Sequence, residues 1–264
     1  SVIDVVTGRE MLWCADPTVW NRHAPILFPY AGKLTGGHFL AEDGKVYEGG
    51  QHGFARDLEH RLVSQTANEL TFELTSGGET YAYFPYDFAL RSTYTLEGRR
   101  ISHSVAVRNT GKGTLRFGFG YHPGFALPFD DAHTAEDYDV VFDTVESPLC
   151  LNTAPNGLVC ASPDYYLARN VDRIPLSAKL FAHDSHCMVN LKSKTMSVVE
   201  RDTGRRIVVD IADFPYTLIW STPQEPMRFI CIEPWHSIPS EDNGPIEWEK
   251  KPCAASLAPD EMWQ

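Results

Sequence analysis

The sequence of 264 residues predicts an all-β fold, a large antiparallel β-sandwich with few short helices. Three observations predict it. Apolar and polar residues alternate with a period of two in many short segments, as they do in half-buried strands. Turn-forming residues separate these segments. No window of helical length sustains the 3.6-residue period of an amphipathic helix.

The alternation is clearest in two neighbouring segments. Leu70, Phe72 and Leu74 alternate with threonine and glutamate, and the segment 90–96 continues the same pattern. Alternate side chains of a strand point to the same face, so each segment has one face suited to a core. Further strands are predicted at 101–108, 114–119, 188–191, 195–200, 207–211, 217–220 and 229–232.

Glycine-containing turns lie between several of these strands, at 76–78, 97–98, 109–111 and 202–204. Short helical turns are expected around 163–169 and 175–180. The segment 128–170 is the least regular, and we expect it to cover the surface as long loops. Its acidic residues favour a solvated charged edge over a calcium site; they are Asp130, Asp131, Glu136, Asp137 and Asp139.

The domain organisation predicted is a single domain over residues 1–264, with two packed sheets. There is no low-complexity stretch, no repeat of fixed period and no linker-like change in composition. The sequence opens at Ser1, without a Met, in a strand-like run at 2–6. This leaves open that the N-terminal strand is truncated.

The charge balance excludes some classes of partner. The formal net charge is −12, which disfavours nucleic acid and anionic membrane surfaces. No apolar run approaches the length of about 20 residues that crosses a bilayer, and the given sequence does not open on a charged-then-apolar leader, although a lost leader stays open. Six cysteines lie at irregular intervals without a C-x-x-C pair, which indicates free thiols and neither a zinc site nor a disulfide framework. We therefore expect a cytoplasmic protein with a small-molecule substrate.

Familiar catalytic motifs are absent from the sequence: there is no glycine-rich phosphate loop, no G-x-S-x-G and no H-E-x-x-H. Four clusters remain that place an ionisable group between aromatic and small residues, at 27–34, 51–57, 119–125 and 230–235. Burying such a group costs free energy unless it is paired or used. The clusters are therefore candidates for a functional site.

Glu233 and His122 are the strongest candidates within these clusters. Pro234 is expected to end the strand at Glu233, so that the carboxylate projects beside the ring of Trp235. His122 precedes a Pro-Gly turn, where its ring could face a cleft. Each residue has a structural alternative when taken alone: Glu233 as an edge carboxylate, and His122 as a core histidine bonded to backbone groups.

Together the four clusters resemble the aldose 1-epimerase family, specifically its LacX-like branch. The resemblance spans nearly the whole chain, and the most specific segments are PILFP at 25–29, QHGFARD at 51–57, GYHPGF at 120–125 and CIEPW at 231–235. Any one segment is weak, whereas all four in this order are specific. The resemblance implies a galactose mutarotase-like β-sandwich and a sugar substrate.

In that family two histidines, a glutamate, a basic residue and an aspartate surround the sugar. The resemblance assigns these roles to His52, His122, Glu233, Lys33 and Asp184. Lys33 stands where the galactose-specific branch has an arginine, and a lysine cannot offer the planar fork of a guanidinium. Asp184 lies in a looser match at 181–184, where a surface turn is the alternative.

Interconverting sugar anomers needs one base and one acid. The base removes the proton of the C1 hydroxyl while the acid protonates the ring oxygen, the ring opens, C1–C2 rotates and the ring closes again. We expect Glu233, ionised at neutral pH, to be the base and His122, kept protonated by acidic neighbours, to be the acid. Neither a metal nor a redox cofactor is implied.

The remaining polar residues of the clusters are expected to bind the sugar. His52 would hydrogen-bond the ring oxygen or a nearby hydroxyl group. Lys33, Asp184 and Arg56 would recognise hydroxyls, and Trp235 or Phe125 would offer an apolar wall to the sugar face.

Two other functions stay open. Arg56, with Arg22 and Lys33, could hold a phosphate, which would make the substrate a hexose 6-phosphate; a structural pair of Arg56 with Asp57 or Glu59 is the alternative. The chain could also be a non-catalytic carbohydrate-binding protein, because fold does not fix function. A hydrolase or lyase would need a second carboxylate across the scissile bond, and none stands out. The preferred sugar, the anomer and the number of subunits stay undetermined.

Overall fold

The computed structural model describes residues 1–153, 155–252 and 254–264. The predicted fold class is confirmed, because the described chain is mostly β-strand in several antiparallel sheets, with no long helix. Within those residues no helix has the length and apolar character needed to cross a membrane. The single-domain organisation stays a prediction.

Short elements follow one another along the whole described chain. The strands are β1 (Ile26–Leu27), β2 (His38–Leu40), β3 (Val46–Glu48), β4 (Arg61–Gln65), β5 (Glu69–Thr75), β6 (Phe88–Glu97), β7 (Arg100–Asn109), β8 (Leu115–Phe117), β9 (Gly120–Tyr121), β10 (Gly124–Ala126), β11 (Tyr138–Glu146), β12 (Leu149–Leu151), β13 (Tyr165–Tyr166), β14 (Val171–Pro175), β15 (His186–Val189), β16 (Thr195–Glu200), β17 (Arg206–Asp210), β18 (Tyr216–Trp220), β19 (Phe229–Trp235), β20 (Ala255–Leu257) and β21 (Met262–Trp263). The helical elements are α1 (Gly78–Tyr81) and the 3-10 turns Thr35–Gly37, Ala55–Asp57, Ala135–Asp137, Ala178–Phe181 and Trp248–Lys250.

The strands form three larger sheets and two strand pairs, where two packed sheets were expected. The eight-stranded sheet has the order β1-β9-β19-β18-β15-β12-β13, with β10 also paired to β19. A five-stranded sheet has the order β21-β7-β6-β5-β4, and a four-stranded sheet the order β14-β11-β16-β17. Strands β2 and β3 form one pair, and β8 and β20 the other.

Strand β19 runs through the middle of the eight-stranded sheet and is buried at every residue. On one face, Ile230 and Ile232 share a hydrophobic cluster with Val140 of β11 and Val198 of β16, so this face packs on the four-stranded sheet. Burying each such side chain contributes about 1.5–3 kcal/mol. The alternate residues of β19, including Glu233, point to the opposite face, where the candidate site lies.

Most predicted strands are confirmed, and the differences from the prediction have local causes. The strand expected at 188–191 is β15, which ends at Val189 because Asn190 adopts a left-handed conformation with φ of 56°. The turn at 97–98 joins β6 to β7 and the turn at 202–204 joins β16 to β17, as predicted. The turn at 109–111 makes no hairpin, because β7 pairs with β6 and β21 while β8 pairs with β20.

Two segments were predicted wrongly. The region 128–170 is not only loop, since it contains β11, a nine-residue strand, and the helical turn expected at 163–169 is strand β13. Asp139 is buried on β11 and accepts a hydrogen bond of 2.8 Å from Arg201, so it is not part of a solvated edge. The run 2–6 forms a turn with only a bridge between Ile3 and Glu10, because it has no neighbouring strand in the described chain.

The described cysteines form no disulfide. Cys150, Cys187 and Cys231 are buried, and Cys14 is exposed. Cys253, the sixth cysteine of the sequence, lies outside the described residues.

Candidate active site

A gap in a β-ladder places the two predicted catalytic residues side by side. Strand β19 is paired with β9 and with β10 in one continuous register; the pairs are Trp235 with Gly120 and Cys231 with Gly124. His122 and Glu233 lie midway between these pairs, opposite each other, where the ladder is interrupted. His122 and Glu233, which are far apart in the sequence, thus lie directly opposite each other in the sheet.

Two prolines border this gap. Pro123 and Pro234 have no backbone N–H, so neither can donate a ladder hydrogen bond. The N–H of His122 donates instead to the carbonyl of Pro25, at 3.1 Å. The prediction that the strand ends at Glu233 is wrong, because β19 continues through Pro234, which pairs with Thr217 of β18. The proline is tolerated inside the sheet because the ladder on the other side of β19 is already broken.

The two side chains are in contact and buried. Nε2 of His122 lies 3.3 Å from Oε2 of Glu233, and the residues are 7% and 1% exposed. Burial raises the pKa of the Glu233 carboxyl well above its ordinary value, and the charge of Asp184 acts in the same direction. Burial also lowers the pKa of His122 to about 3, and the charge of Arg56 adds to this effect.

Both pKa shifts run against the expected protonation states, which stay predictions. The sequence predicted an ionised Glu233 of ordinary pKa and an imidazole of His122 kept protonated by acidic neighbours. Burial disfavours the charged form of both groups. The pair is driven toward a carboxylic acid next to a neutral imidazole, with one proton shared between two residues.

His52 completes a buried trio with this pair. Its ring centroid lies 5.4 Å from that of His122 and 5.4 Å from that of Trp235, edge to face in both cases. Nδ1 of His52 accepts a 3.0 Å hydrogen bond from the N–H of Gly32, while the N–H of His52 donates to the carbonyl of Gly32 at 2.8 Å. Burial lowers the pKa of His52 well below its ordinary value. The neutral ring therefore carries its proton on Nε2, which is a donor.

Glycines explain the backbone around His52, whose own φ is 69°. Gly32 has φ of 74°, and a Cβ there would lie 2.4 Å from Cγ of Pro239. A Cβ at Gly53 would lie 2.2 Å from the carbonyl oxygen of Phe28. Only glycine fits these two positions, so both the close packing and the left-handed turn of the histidine loop depend on them.

Arg56 and Lys33 lie near His52, since the charges of both lower its pKa. Nη2 of Arg56 donates to the carbonyl of Gln51 at 2.6 Å, and its Nε lies 3.7 Å from a carboxylate oxygen of Asp57. Nζ of Lys33 donates to the carbonyl of Asn156 at 2.7 Å. Both cations thus stand at the border of the trio while bonded to loop groups.

Asp184 is exposed in a left-handed turn, with φ of 86°, just after the 3-10 turn Ala178–Phe181. Its charge raises the pKa of Glu233. Trp235 is buried next to His52. Phe125 pairs with Ile230 and packs in the hydrophobic cluster of the opposite face, so its prediction as a wall of the site is wrong.

Two tryptophans that surround His122 were not predicted from the sequence. Trp20 stacks on the imidazole, with ring centroids 4.9 Å apart and an interplanar angle of 26°, and Trp220 meets it edge to face at 5.7 Å. Trp220 ends a predicted strand, so the alternation could have indicated it. Trp20 lies in the loop before β1, and no sequence pattern connects it to His122.

Two groups of side chains in the described chain have the types and spacing of metal ligands. One is His122, Cys231 and Glu233, and the other is Asp130, His133 and Glu200. The first group includes the candidate catalytic pair.

Comparison with known proteins agrees with this architecture. The model of the aldose 1-epimerase family matches residues 3–243. The chain belongs to the aldose 1-epimerase family. This match confirms the family resemblance. Membership of the family supports an epimerase function with a sugar as substrate.

Individual members of the family are similar over most of the chain. The chain is 33% identical over 259 residues to the chromosomal LacX protein of Lactococcus lactis subsp. lactis, covering 96% of this chain and 86% of the relative. A galactose mutarotase related enzyme from Lactobacillus acidophilus has a TM-score of 0.91 and 30% identity, with 97% and 85% of the two chains covered. A galactose mutarotase-like protein from Lactobacillus casei has a TM-score of 0.88 and 26% identity, with 99% and 89% covered.

Proposed function

We propose that this aldose 1-epimerase family member interconverts the α and β anomers of a hexose by general acid/base ring opening and closure. Glu233 acts as the base and His122 as the acid. The observation that carries the proposal is the 3.3 Å contact between Nε2 of His122 and Oε2 of Glu233, both buried at a gap of the β-ladder. A buried acid and base in contact are what the reaction requires.

The shared proton explains how a neutral pair can act. In the active form Glu233 is ionised and His122 is protonated. Glu233 then takes the proton of the C1 hydroxyl while His122 gives its proton to the ring oxygen, which leaves a carboxylic acid and a neutral imidazole. Reclosure on the other face of C1 reverses both transfers. Burial favours the neutral forms of Glu233 and His122. When a sugar binds, its hydroxyl groups solvate the charged forms, and the direct contact lets the proton pass from the carboxyl to the imidazole.

The neighbouring residues take supporting roles. His52, with its proton on Nε2, donates to the ring oxygen or an adjacent hydroxyl, and its bond to Gly32 holds this tautomer. Lys33, Arg56 and Asp184 bind hydroxyl groups at the border of the site. Trp235 provides an apolar surface next to His52. No metal or redox cofactor is required by this chemistry.

The contacts of the arginines favour an unphosphorylated sugar over a hexose 6-phosphate. Arg22 is paired with Asp57 at 2.6 Å, and Arg56 is held by Gln51 and lies near the same aspartate. A phosphate would have to displace these groups. The acid/base pair also favours catalysis over sugar binding alone, because binding does not need a buried carboxyl against a histidine.

Polarimetry tests the proposal. We expect wild-type protein to accelerate the change in optical rotation of freshly dissolved α-D-glucose or α-D-galactose above the spontaneous rate. Glu233→Gln and His122→Asn should each lose at least about 100-fold of this rate. Glu225→Gln, at an exposed position, is the matched control and should stay active. Circular dichroism checks that each variant is folded.

The substrates separate the alternatives. Acceleration of glucose 6-phosphate alone would establish a phosphohexose epimerase. No acceleration of any of the three sugars, with sugar binding still measurable by calorimetry, would leave a carbohydrate-binding protein as the function.

A further inference from the structure

A third reactive side chain lies beside the acid/base pair. Cys231 is two residues before Glu233 on β19, so the two side chains point to the same face of the sheet. The ligand atoms of Cys231, Glu233 and His122 all lie within 4.8 Å of one another, and all three residues are buried. The proposed reaction uses the carboxyl and the imidazole, and it leaves the thiol without a role.

The donor atoms of His122, Cys231 and Glu233 are of the kinds that bind zinc in proteins. Imidazole nitrogen, thiolate sulfur and carboxylate oxygen are its three common protein ligands, and three of them leave the fourth tetrahedral position open. Nitrogen, oxygen and sulfur ligands of a tetrahedral zinc ion lie about 3.3–3.6 Å apart, given the usual bond lengths. The pair His122–Glu233, at 3.3 Å, already has this spacing, and the remaining atoms need to approach by about 1 Å.

A buried nitrogen is also available for coordination. Nδ1 of His122 is buried and makes no hydrogen bond to a described side chain or backbone group. Nδ1 of His122 can therefore bind an ion without breaking a hydrogen bond, provided that the stacking of Trp20 on the imidazole is kept.

The other His/Asp/Glu group of the chain lacks this freedom. Glu200 is held by Arg205, with Nη2 at 2.6 Å from Oε2, and by the hydroxyls of Tyr138 and Thr203. Nδ1 of His133 lies 2.6 Å from Asp130. A cation there would compete with a guanidinium that already neutralises the site, so ion pairing explains this cluster fully.

We propose that His122, Cys231 and Glu233 form a binding site for one thiophilic divalent cation, such as Zn²⁺, whose occupancy inhibits the protein. Binding displaces the thiol proton, and any proton of the Glu233 carboxyl, to solvent. The bound ion takes the lone pairs that would accept the proton of the sugar. The cation-binding part stands on the geometry alone, whereas inhibition rests on the proposed epimerase function.

Co²⁺ is the probe for the site, because its thiolate complexes absorb in the near ultraviolet and its tetrahedral complexes absorb strongly in the visible. We expect wild-type protein to show both bands at one Co²⁺ per chain and Zn²⁺ to remove them. Cys231→Ser and Cys231→Ala should lose the thiolate band and weaken Co²⁺ binding at least about tenfold. Cys14→Ser, at an exposed cysteine, is the matched control and should keep both bands.

Inhibition is measured on the same proteins. Zn²⁺ should suppress the polarimetric rate of the wild type, a chelator should restore it, and the inhibitory Zn²⁺ concentration should rise at least about tenfold in Cys231→Ser. A thiolate band that survives in both folded Cys231 variants, or that disappears in Cys14→Ser, overturns the inference. Intact Co²⁺ bands in a wild-type protein without epimerase activity overturn the proposed function and leave the cation site standing.

Discussion

The indole ring of Trp20 lies stacked on the imidazole of His122, with the ring centroids 4.9 Å apart. Trp20 also stacks on Phe229 at 5.3 Å and meets Trp220 edge to face at 5.4 Å, so the ring is itself held in place. Because Nδ1 of His122 has no hydrogen bond to the described protein groups, the orientation of the imidazole depends on this stacking and on Glu233. Aromatic packing here replaces the hydrogen bond that usually orients a catalytic histidine.

Removing that ring should impair catalysis more than sugar binding. We expect Trp20→Ala to lower kcat at least about tenfold with a smaller change in KM. A misplaced proton donor stabilises the transition state less well. Trp20→Phe keeps a flat ring and should restore most of the rate. Saturation kinetics by polarimetry give both constants. A rise in KM with kcat unchanged would show instead that Trp20 is a wall of the sugar pocket.

Gly32 should be difficult to replace. Gly32→Ala adds a Cβ at 2.4 Å from Cγ of Pro239 in a backbone with φ of 74°, so the clash adds to the conformational strain. We expect a loss of about 2–4 kcal/mol in the free energy of unfolding, measured by urea denaturation. Gly44→Ala is the matched control, because Gly44 has φ of 78° and open space around it. Equal losses in the two variants would show that the contact with Pro239 relaxes freely.

Lys33 should contribute to sugar binding and not to proton transfer. Its ammonium group is bonded to the carbonyl of Asn156 and its charge reaches His52, which places it at the border of the site. We expect Lys33→Ala to raise KM about three- to tenfold with kcat nearly unchanged. Lys45→Ala, at a lysine paired with Asp43 on the surface, serves as the control. An unaltered KM for every sugar tested would remove Lys33 from the pocket.

Stability should fall as the solution is acidified, in a window set by buried histidines. Burial lowers the pKa of His103 to about 3, and its ring stacks on Tyr94 while Nε2 bonds the hydroxyl of Ser92 at 2.6 Å. The folded pKa lies below the unfolded value of about 6.5, so the unfolded chain binds more protons between these pH values. The stabilisation from a neutral His103 is complete above about pH 6.5 and is lost as the pH falls toward 3.

His103→Gln should therefore flatten the dependence of the unfolding free energy on pH between about 6.5 and 3. Urea denaturation at a series of pH values measures the slope, and His183→Gln, at an exposed histidine, is the comparison. The same slope in His103→Gln and wild type would show that the pKa of His103 is not lowered in the folded protein. His52 and His122, whose pKa values burial also lowers, act in the same direction and keep part of the slope.

The fold class, the family and most strands follow from the amino-acid sequence alone. Alternation along β6 and β7 was sufficient, because buried residues alternate with less buried ones from Phe88 to Ser92 and from Val105 to Asn109. The four motifs determined the family because they occur together and in this order along the chain. The roles of the site residues came from the same motifs and stay predictions.

The way in which the site residues meet depends on the complete tertiary structure. The ladder gap that sets His122 against Glu233 depends on the register of strands more than 100 residues apart, which no local pattern encodes. The stacking of Trp20 on His122 has the same origin, since a loop residue acquires its partner only when the sheet is complete. Burial also depends on the whole fold, and it shifts the pKa of both members of the pair against their charged forms, because desolvation opposes any charge they carry.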